Sequence, residues 1–171
     1  MRKFCLTIIV LAGFSKALFA QFGNCTASEM QTYTDRETGN TITILTDTLK
    51  NDRFLYQTDP MWTHDGKYLL FRSSSRANDK KIERTLPNGE KRSWTPTQIY
   101  FIEMATGQII QATEGPDLGS AFLANKSNRM FISRKEKEDW NMYVMDLDKF
   151  FADVKKGKIG KPTAYETLLG T

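Results

Sequence analysis

The segment Pro60–Phe71, PMWTHDGKYLLF, decides the fold of this chain. Two apolar runs, one containing Trp62 and one running from Tyr68 to Phe71, flank the dipeptide Asp65-Gly66. Asp-Gly between apolar runs predicts a β-hairpin, because glycine accepts the positive φ angle that a tight hairpin turn demands. We therefore expect two antiparallel strands joined at this dipeptide.

The hairpin pattern recurs sixty residues later in Ser120–Phe131, SAFLANKSNRMF. In this alignment Phe122 takes the place of Trp62, and Phe131 takes the place of Phe71. A fixed period of this size indicates a repeat architecture, and strand-rich repeats are typical of propeller blades. The four aromatic residues are therefore predicted to lie in the core between blades.

Further strands are predicted where the sequence alternates or is rich in β-branched residues between turns. These segments are residues 30–35, 41–46, 98–103, 108–113 and 141–147. Residues 76–96, with mixed charges and a central Pro-Asn-Gly, are predicted to be a long exposed loop. Residues 148–160, rich in Lys and Gly, are predicted to be an excursion on the bottom face of the blade, and a fourth strand is expected after Lys161.

The sequence thus predicts an all-β fold of propeller blades, each with four antiparallel strands. Blade repeats at about residues 30–46, 60–113 and 120–171 amount to about two and a half blades. A propeller closes with about four to eight blades, so we expect residues 21–171 to be the N-terminal portion of a longer propeller domain. The alternative is a complete β-sandwich of about seven strands, and the 60-residue period favours the propeller.

Residues 1–20 are predicted to be a secretory signal peptide. Two basic residues, Arg2 and Lys3, precede the apolar run Phe4–Phe14, and Ala20 offers a cleavage point. The apolar run is too short to span a bilayer. The protein is therefore expected to be secreted or periplasmic, with no membrane span.

Removal of the signal peptide changes the charge of the chain. Residues 1–20 hold three basic and no acidic residues, so the 24 basic residues fall to 21 against 20 acidic ones. A net charge near +1 removes the main support for nucleic-acid binding. Cys25 is then the single cysteine and forms no internal disulfide. A lipoprotein anchored through Cys25 is the disfavoured alternative, because Phe22-Gly23-Asn24 departs from a lipobox.

Five segments between about Thr32 and Asp148 stand out, namely TYTDRETGNTITILTD, RFLYQ, MWTHDGKYLLF, QIYFIEMATGQIIQATEG and NMYVMDLD. Together they resemble the N-terminal part of the oligogalacturonate lyases. The hairpin motif is also shared with TolB-like propellers of many functions. The strand pair at Tyr33–Gly39 and the entry at Arg53–Gln57 are more diagnostic. The resemblance implies a seven-bladed propeller that cleaves short pectin fragments.

The chemistry that this resemblance implies is metal-assisted β-elimination. A base removes the proton α to a uronate carboxylate, while a cation or divalent metal neutralises the carboxylate. The family holds manganese through His and Gln side chains of later blades. This chain has one histidine, His64, so the resemblance implies a manganese or other divalent metal site in the full-length protein and none bound by this part. His64 is predicted to be a solvated turn residue.

The alternative function is a non-catalytic TolB-like propeller that binds a glycan or an envelope protein.

Blade geometry sorts the predicted loops by face. Residues 50–59 and the insertion 76–96 share the face on which propellers commonly bind ligands, and His64 lies on the opposite one. An acidic oligosaccharide requires arginine for its carboxylates and an aromatic ring for stacking on the sugar. The candidate substrate-binding residues are therefore Arg53, Tyr56, Gln57, Arg72 and Arg76. The alternative is that Tyr56 belongs to the core and that the arginines are ordinary solvated charges.

Overall fold

A computed structural model describes residues 21–76, 81–115, 118–136 and 139–171. These residues form short strands and one α-helix. The elements are β1 (Cys25–Thr26), β2 (Gln31–Thr34), β3 (Thr41–Ile44), β4 (Asp52–Arg53), β5 (Tyr68–Ser73), β6 (Ile82–Thr85), β7 (Lys91–Trp94), β8 (Gln98–Glu103), β9 (Ile109–Gln111), β10 (Leu118–Leu123), β11 (Arg129–Glu136), β12 (Asp139–Asp146), α1 (Leu147–Lys155) and β13 (Glu166–Gly170). The predicted signal peptide and its cleavage point lie outside the described residues.

Two antiparallel sheets organise the molecule. The first sheet has the strand order β1-β9-β8-β5-β4, and the second has the order β10-β11-β12-β13. Two separate two-stranded ribbons, β2-β3 and β6-β7, accompany them. The prediction of an all-β, incomplete propeller of antiparallel blades is confirmed, and β13 supplies the fourth strand that was expected after Lys161.

The turn at Asp65-Gly66 forms as predicted, but the segment before it is not a full strand and pairs with β5 through the single bridge Trp62–Leu69. Gly66 has a φ angle of 69°, and the N–H of Thr63 donates to the carbonyl of Tyr68 at 3.0 Å. The second hairpin closes through the same bond, here from the N–H of Ala124 to the carbonyl of Arg129. Thr63 therefore corresponds to Ala124, and the structural period is 61 residues instead of the predicted 60.

This one-residue shift changes which aromatic residues face the core, because side chains alternate between the two faces of a strand. Phe71 is 1% exposed, whereas Trp62 is 47% and Phe122 is 38% exposed, so these two residues are not part of the core formed by the described residues. Phe122 instead pairs with the half-buried Phe131 on the face of the second sheet that points away from the first, with ring centroids 5.4 Å apart.

The main core lies between the two sheets. It contains Leu70 and Phe101 from the first sheet and Met130 and Ile132 from the second, all of them fully buried. A smaller cluster on the opposite face of the first sheet is centred on Phe71. The two sheets are thus joined by continuous apolar packing, which fixes the cavity at their common edge.

Helix α1 locks the two sheets together at one end of the core. Asp146 caps its N-terminus by accepting from the N–H of Lys149 at 3.0 Å. The ring of Phe151 stacks on Tyr68 with centroids 3.6 Å apart, and Lys155 pairs with Glu103 at 2.8 Å. The predicted excursion over residues 148–160 thus holds a helix in its first half, which the sequence analysis did not anticipate.

The residues that follow the predicted signal peptide are built into the core. Phe22 is 4% exposed, and its ring lies 5.1 Å from that of Phe150 and 5.7 Å from that of Tyr165. Strand β1 then pairs with β9 and extends the first sheet by one strand. No helix within the described ranges is long and apolar enough to cross a membrane.

The insertion between β5 and β8 contains a β-ribbon. Strands β6 and β7 pair over four residues each, and the turn between them has Gly89 at a φ angle of 83°. The prediction of a plain exposed loop over residues 76–96 is therefore wrong for residues 82–94. Of the rest of that segment, residues 77–80 lie outside the described ranges.

Candidate functional site

Asn51 holds the connection that enters the first sheet. Its backbone N–H donates to Ser75 Oγ at 2.8 Å, and its side-chain amide donates to Ser74 Oγ at 2.9 Å. The Oδ1 atom of Asn51 accepts in turn from Nε of Arg53 at 3.3 Å. The serines after β5 therefore fix Asn51, and Asn51 fixes the direction of the Arg53 side chain.

A buried ion-pair cluster also stabilises this connection. Arg76 donates to both oxygens of Asp52 and to both oxygens of Glu29, at 2.6 to 3.1 Å. Burial disfavours a charged guanidinium, but the bonds to Glu29 and Asp52 outweigh it and raise the pKa of Arg76. The same hydrogen bonds lower the pKa of Glu29. Since the Arg76 side chain is 7% exposed and its donors are engaged, it joins chain segments instead of facing solvent.

A cavity of about 490 Å³ lies between the edge of the first sheet and strand β10 of the second. Arg53, Tyr56 and Arg72 line it, so the structure brings together three of the five predicted substrate-binding residues. Asp59 lies on the same wall, where its N–H donates to the carbonyl of Tyr56 at 2.8 Å and closes a turn. Two predicted residues, Gln57 and Arg76, are not part of the lining.

Arg53 and Arg72 are direct cross-strand partners in the β4–β5 pairing. Both side chains are exposed, and neither has a carboxylate partner within the described part of the chain. Like charges directly opposite each other in a sheet are destabilising, so this pair costs stability unless an anion lies between the two. Arginine presents a planar fork that matches a carboxylate with two parallel hydrogen bonds. The pair is therefore a suitable receptor for a carboxylate.

Tyr56 supplies an aromatic surface beside the arginine pair. Its side chain is 68% exposed, so it does not belong to the core of the described residues. An exposed aromatic ring next to two cations offers an apolar face and positive charge. A uronate sugar has the matching features, an apolar sugar face and a negative carboxylate.

The opposite wall of the cavity is the N-terminal half of β10. The pairing of β10 with β11 is irregular between Leu118 and Ala121, and Ser120 N–H there donates to Ser133 Oγ at 2.7 Å. A Cβ atom on Gly119 would lie 2.5 Å from both Ser133 Oγ and the Trp140 ring, so any other residue here would force these side chains to shift. Bulges of this kind are common beside functional sites because they redirect the local backbone. Nothing in the sequence pattern pointed to this wall or to Asp59.

His64 lies at the turn of the first hairpin, outside the cavity lining. It is exposed as predicted, and its Nδ1 atom lies 3.0 Å from the carbonyl oxygen of Asn125 in the second hairpin turn. The N–H of Asp65 also donates to Asn128 Oδ1 at 3.3 Å. His64 therefore contributes to the contact between two turns.

The described residues do not fit a manganese centre. Among them, His, Cys, Asp and Glu side chains nowhere form a group of three that could hold a metal ion. A divalent metal is therefore not assigned to any residue of this chain.

A second cavity, of about 840 Å³, runs along the outer edge of the first sheet between β1 and the end of α1. Cys25 lines it, and desolvation followed by the charge of Glu103 raises the pKa of the Cys25 thiol. A lipidated Cys25 would become the N-terminal residue, and Phe22 would then be missing from the core. The position of Phe22 in the core therefore argues against a lipid anchor at Cys25.

Comparison with solved structures shows a likeness to oligogalacturonate lyases. One is an oligogalacturonate lyase in complex with manganese, with 22% identity and a TM-score of 0.55 over 77% of this chain and 30% of that one. Another is oligogalacturonate lyase from Vibrio parahaemolyticus, with 22% identity and a TM-score of 0.55 over 75% of this chain and 29% of that one. No protein-family model and no curated protein sequence matches the chain. The likeness supports the propeller fold over the sandwich, and the chain spans less than a third of the length of these lyases.

Proposed function

We propose that this chain is the N-terminal part of an oligogalacturonate lyase-like protein, and that it binds the carboxylates of pectin-derived oligogalacturonides. The full-length protein would cleave these sugars by metal-assisted β-elimination, outside the cytoplasm after removal of residues 1–20. The fold shared with oligogalacturonate lyases supports this proposal at the level of architecture.

The observation that carries the proposal is the arginine pair in the cavity of about 490 Å³. Arg53 and Arg72 lie opposite each other without an acidic partner among the described side chains, and Tyr56 exposes its ring beside them. A uronate residue offers a carboxylate for the two guanidinium groups and a sugar face for the ring.

The role of the arginine pair in the reaction would be electrostatic. β-Elimination removes the proton α to the carboxylate, so negative charge builds on the carboxylate in the transition state. Guanidinium groups that are already in place stabilise that charge without reorganisation. A divalent metal would supply Lewis-acid neutralisation of the same carboxylate when bound. The base and the metal ligands are assigned to no residue of this chain.

The binding half of the proposal is tested by calorimetric titration of digalacturonate into the wild type and into Arg53→Gln and Arg72→Gln. Each substitution removes a charge-assisted contact worth about 1.5–3 kcal/mol, so affinity should fall roughly tenfold or more. Lys126→Gln is the matched control, because it removes one exposed positive charge in the turn of the second hairpin, away from the cavity. Equal losses of affinity in all three variants would show that binding depends only on the net charge of the protein.

The catalytic half is tested by following the ultraviolet absorbance of the unsaturated product with digalacturonate and manganese, using the full-length protein. The second candidate function is a non-catalytic TolB-like propeller that binds a glycan or an envelope protein, and it is supported by the hairpin at Asp65-Gly66, whose motif TolB-like propellers of many functions share. Binding of digalacturonate without any rise in absorbance would select this second function.

A further inference from the structure

Asp59 is an acidic residue in a cavity whose other charged residues are arginines. Of the described residues that line the cavity of about 490 Å³, Asp59 is the one acid, and Arg53 and Arg72 are the two bases. The Asp59 side chain is exposed and makes no hydrogen bond or ion pair with the part of the chain that the structure describes. Opposite charges therefore line one cavity without neutralising each other.

The backbone of Asp59 is held on both sides. Its N–H donates to the carbonyl of Tyr56 at 2.8 Å, and Pro60 after it disfavours helical backbone angles at Asp59. Met61 then joins the first sheet, where its carbonyl accepts from the N–H of Leu70 at 2.7 Å. These anchors fix the backbone of Asp59 relative to the cavity before a ligand binds.

Arg53 is fixed by contacts that do not involve Asp59. Its Nε donates to Asn51 Oδ1 at 3.3 Å, and Asn51 is bonded in turn to the serines after β5. Arg72 lies directly across the β4–β5 pairing from Arg53. The arginine pair and Asp59 are therefore placed by separate elements, the pair by two strands and the acid by a turn.

The chemistry of a carboxylate in this cavity favours ligands with hydroxyl groups. An ionised carboxylate accepts hydrogen bonds and donates none, and bonds from hydroxyl groups to it are roughly twice as strong as neutral ones. A simple carboxylate ligand has no donor for Asp59, and the two negative charges repel each other. A sugar acid offers a carboxylate to the arginine pair and hydroxyl donors to Asp59.

We propose that Asp59 is a specificity-determining residue, whose carboxylate accepts hydrogen bonds from hydroxyl groups of the uronate bound at the Arg53–Arg72 pair. The proposal rests on the proposed function and deepens it, because it makes the cavity select sugar acids over carboxylates without hydroxyl groups. Asp59 lowers the affinity for the second class through repulsion and raises the affinity for the first through hydrogen bonds.

The test compares two ligands that share a ring and a carboxylate but differ in hydroxyl groups. They are the methyl glycoside of galacturonic acid and oxane-2-carboxylate, which has the same six-membered ring without hydroxyl groups. Titrations are followed by NMR chemical shifts, because a single sugar acid makes few contacts and binds weakly. The proteins are the wild type, Asp59→Ala, Asp59→Asn and Glu37→Ala. Glu37→Ala is the matched control, because it removes an exposed acid in the β2–β3 turn, outside the cavity lining.

The wild type should bind the sugar acid roughly tenfold or more tightly than oxane-2-carboxylate. Asp59→Ala should lose this preference, because its affinity for the sugar acid falls while its affinity for oxane-2-carboxylate stays equal or rises. Asp59→Asn should keep part of the preference, since its amide oxygen still accepts from a hydroxyl group. Glu37→Ala should keep the preference within about twofold.

Three results would overturn the proposal while leaving the proposed function intact, provided that Arg53→Gln weakens the binding of both ligands. They are equal binding of the two ligands by the wild type, an unchanged preference in Asp59→Ala, and a rise of both affinities by the same factor in Asp59→Ala. Asp59→Asn keeps the shape of the side chain and decides the matter if Asp59→Ala fails to fold, since an unchanged preference in it would also overturn the proposal. A wild type that binds neither these ligands nor digalacturonate would overturn both proposals together.

Discussion

Replacement of Arg76 by methionine should destabilise the protein without changing its surface chemistry at the cavity. The guanidinium is 7% exposed, its partner Asp52 is 9% exposed and Glu29 is 24% exposed. Removal of one member of a buried ion pair typically costs about 3–5 kcal/mol, because the remaining charge stays buried without compensation. The substitution also removes the contact of Arg76 with the Phe71 ring, 5.3 Å from its centroid. Since Glu29 is partly hydrated, we expect a loss of about 3 kcal/mol.

The assay is urea denaturation at pH 7, with Arg72→Met as the matched control. Arg72 lies four residues earlier, is exposed and has no ion pair in the described part of the chain, so its replacement should leave stability unchanged or raise it by up to about 1 kcal/mol through relief of repulsion from Arg53. Conversion of the acidic partners in Glu29→Gln/Asp52→Asn/Arg76→Met should recover part of the loss. Equal stability of Arg76→Met and Arg72→Met would refute the assignment of Arg76 to the scaffold.

The pH dependence gives a second check on the same cluster. Arg76 lowers the pKa of Glu29 in the folded protein below its ordinary value of 4.5. A lowered folded-state pKa means that the stabilisation is complete above the unfolded pKa and is lost as pH falls through the folded value. The stability difference between wild type and Arg76→Met should therefore shrink below about pH 4.5.

Three further substitutions have definite expected outcomes. Burial opposes the charge of Asp65, but hydrogen bonds from Lys67 and Thr63 outweigh it and hold the pKa of Asp65 at about 2. Asp65→Asn should therefore cost about 1 kcal/mol of folding stability at pH 7, after allowance for exposure. Urea denaturation at a series of pH values should show this loss vanish between pH 3.8 and about 2. Phe22→Ala removes a 4% exposed ring from the core and should cost about 3–4 kcal/mol by thermal denaturation, whereas no loss would mean that residues 21–26 are not docked. Gly119→Ala places a methyl group against Trp140 and should cost about 1–3 kcal/mol, and the double variant with Trp140→Ala should recover part of it if this contact is the cause.

The fold could be predicted from the sequence because its main signals are local. The Asp-Gly turn, the alternation in Gln98–Glu103 and the spacing of repeated hairpins each depend on a few neighbouring residues. Arg53, Tyr56 and Arg72 were also within reach of sequence reasoning. Arg53 and Arg72 lie in strands, and Tyr56 follows one, whose direction follows from hairpin connectivity, so the face on which they lie could be deduced.

Some errors came from signals that were present but misjudged. Leu147, Phe150, Phe151 and Val154 have the spacing of an amphipathic helix, and Asp146 before them is a good N-cap. The period of 60 was chosen by matching Phe131 to Phe71, whereas backbone hydrogen bonds of the two turns set it at 61. Side-chain alternation then reverses the faces of the aromatic residues.

Other features depend on contacts between distant parts of the chain. Arg76 pairs with Glu29, 47 residues away, and with Asp52, 24 residues away. Its structural role therefore produces no signal in the sequence around it. The cavity wall at Gly119 is set by packing between two strands against Trp140, and a single sequence does not record that contact. Such positions are fixed by tertiary packing, which overrides local propensity.

The most direct measurement of the central claim compares digalacturonate with its methyl ester by calorimetry on the wild-type protein and on Arg53→Gln/Arg72→Gln. Esterification removes the charge of the ligand and keeps the sugar, so it tests whether the arginine pair recognises the carboxylate. We expect the wild type to bind the acid roughly tenfold or more tightly than the ester, and the double variant to bind both equally weakly. Equal affinity of the wild type for acid and ester would contradict the assignment of Arg53 and Arg72 as a carboxylate receptor.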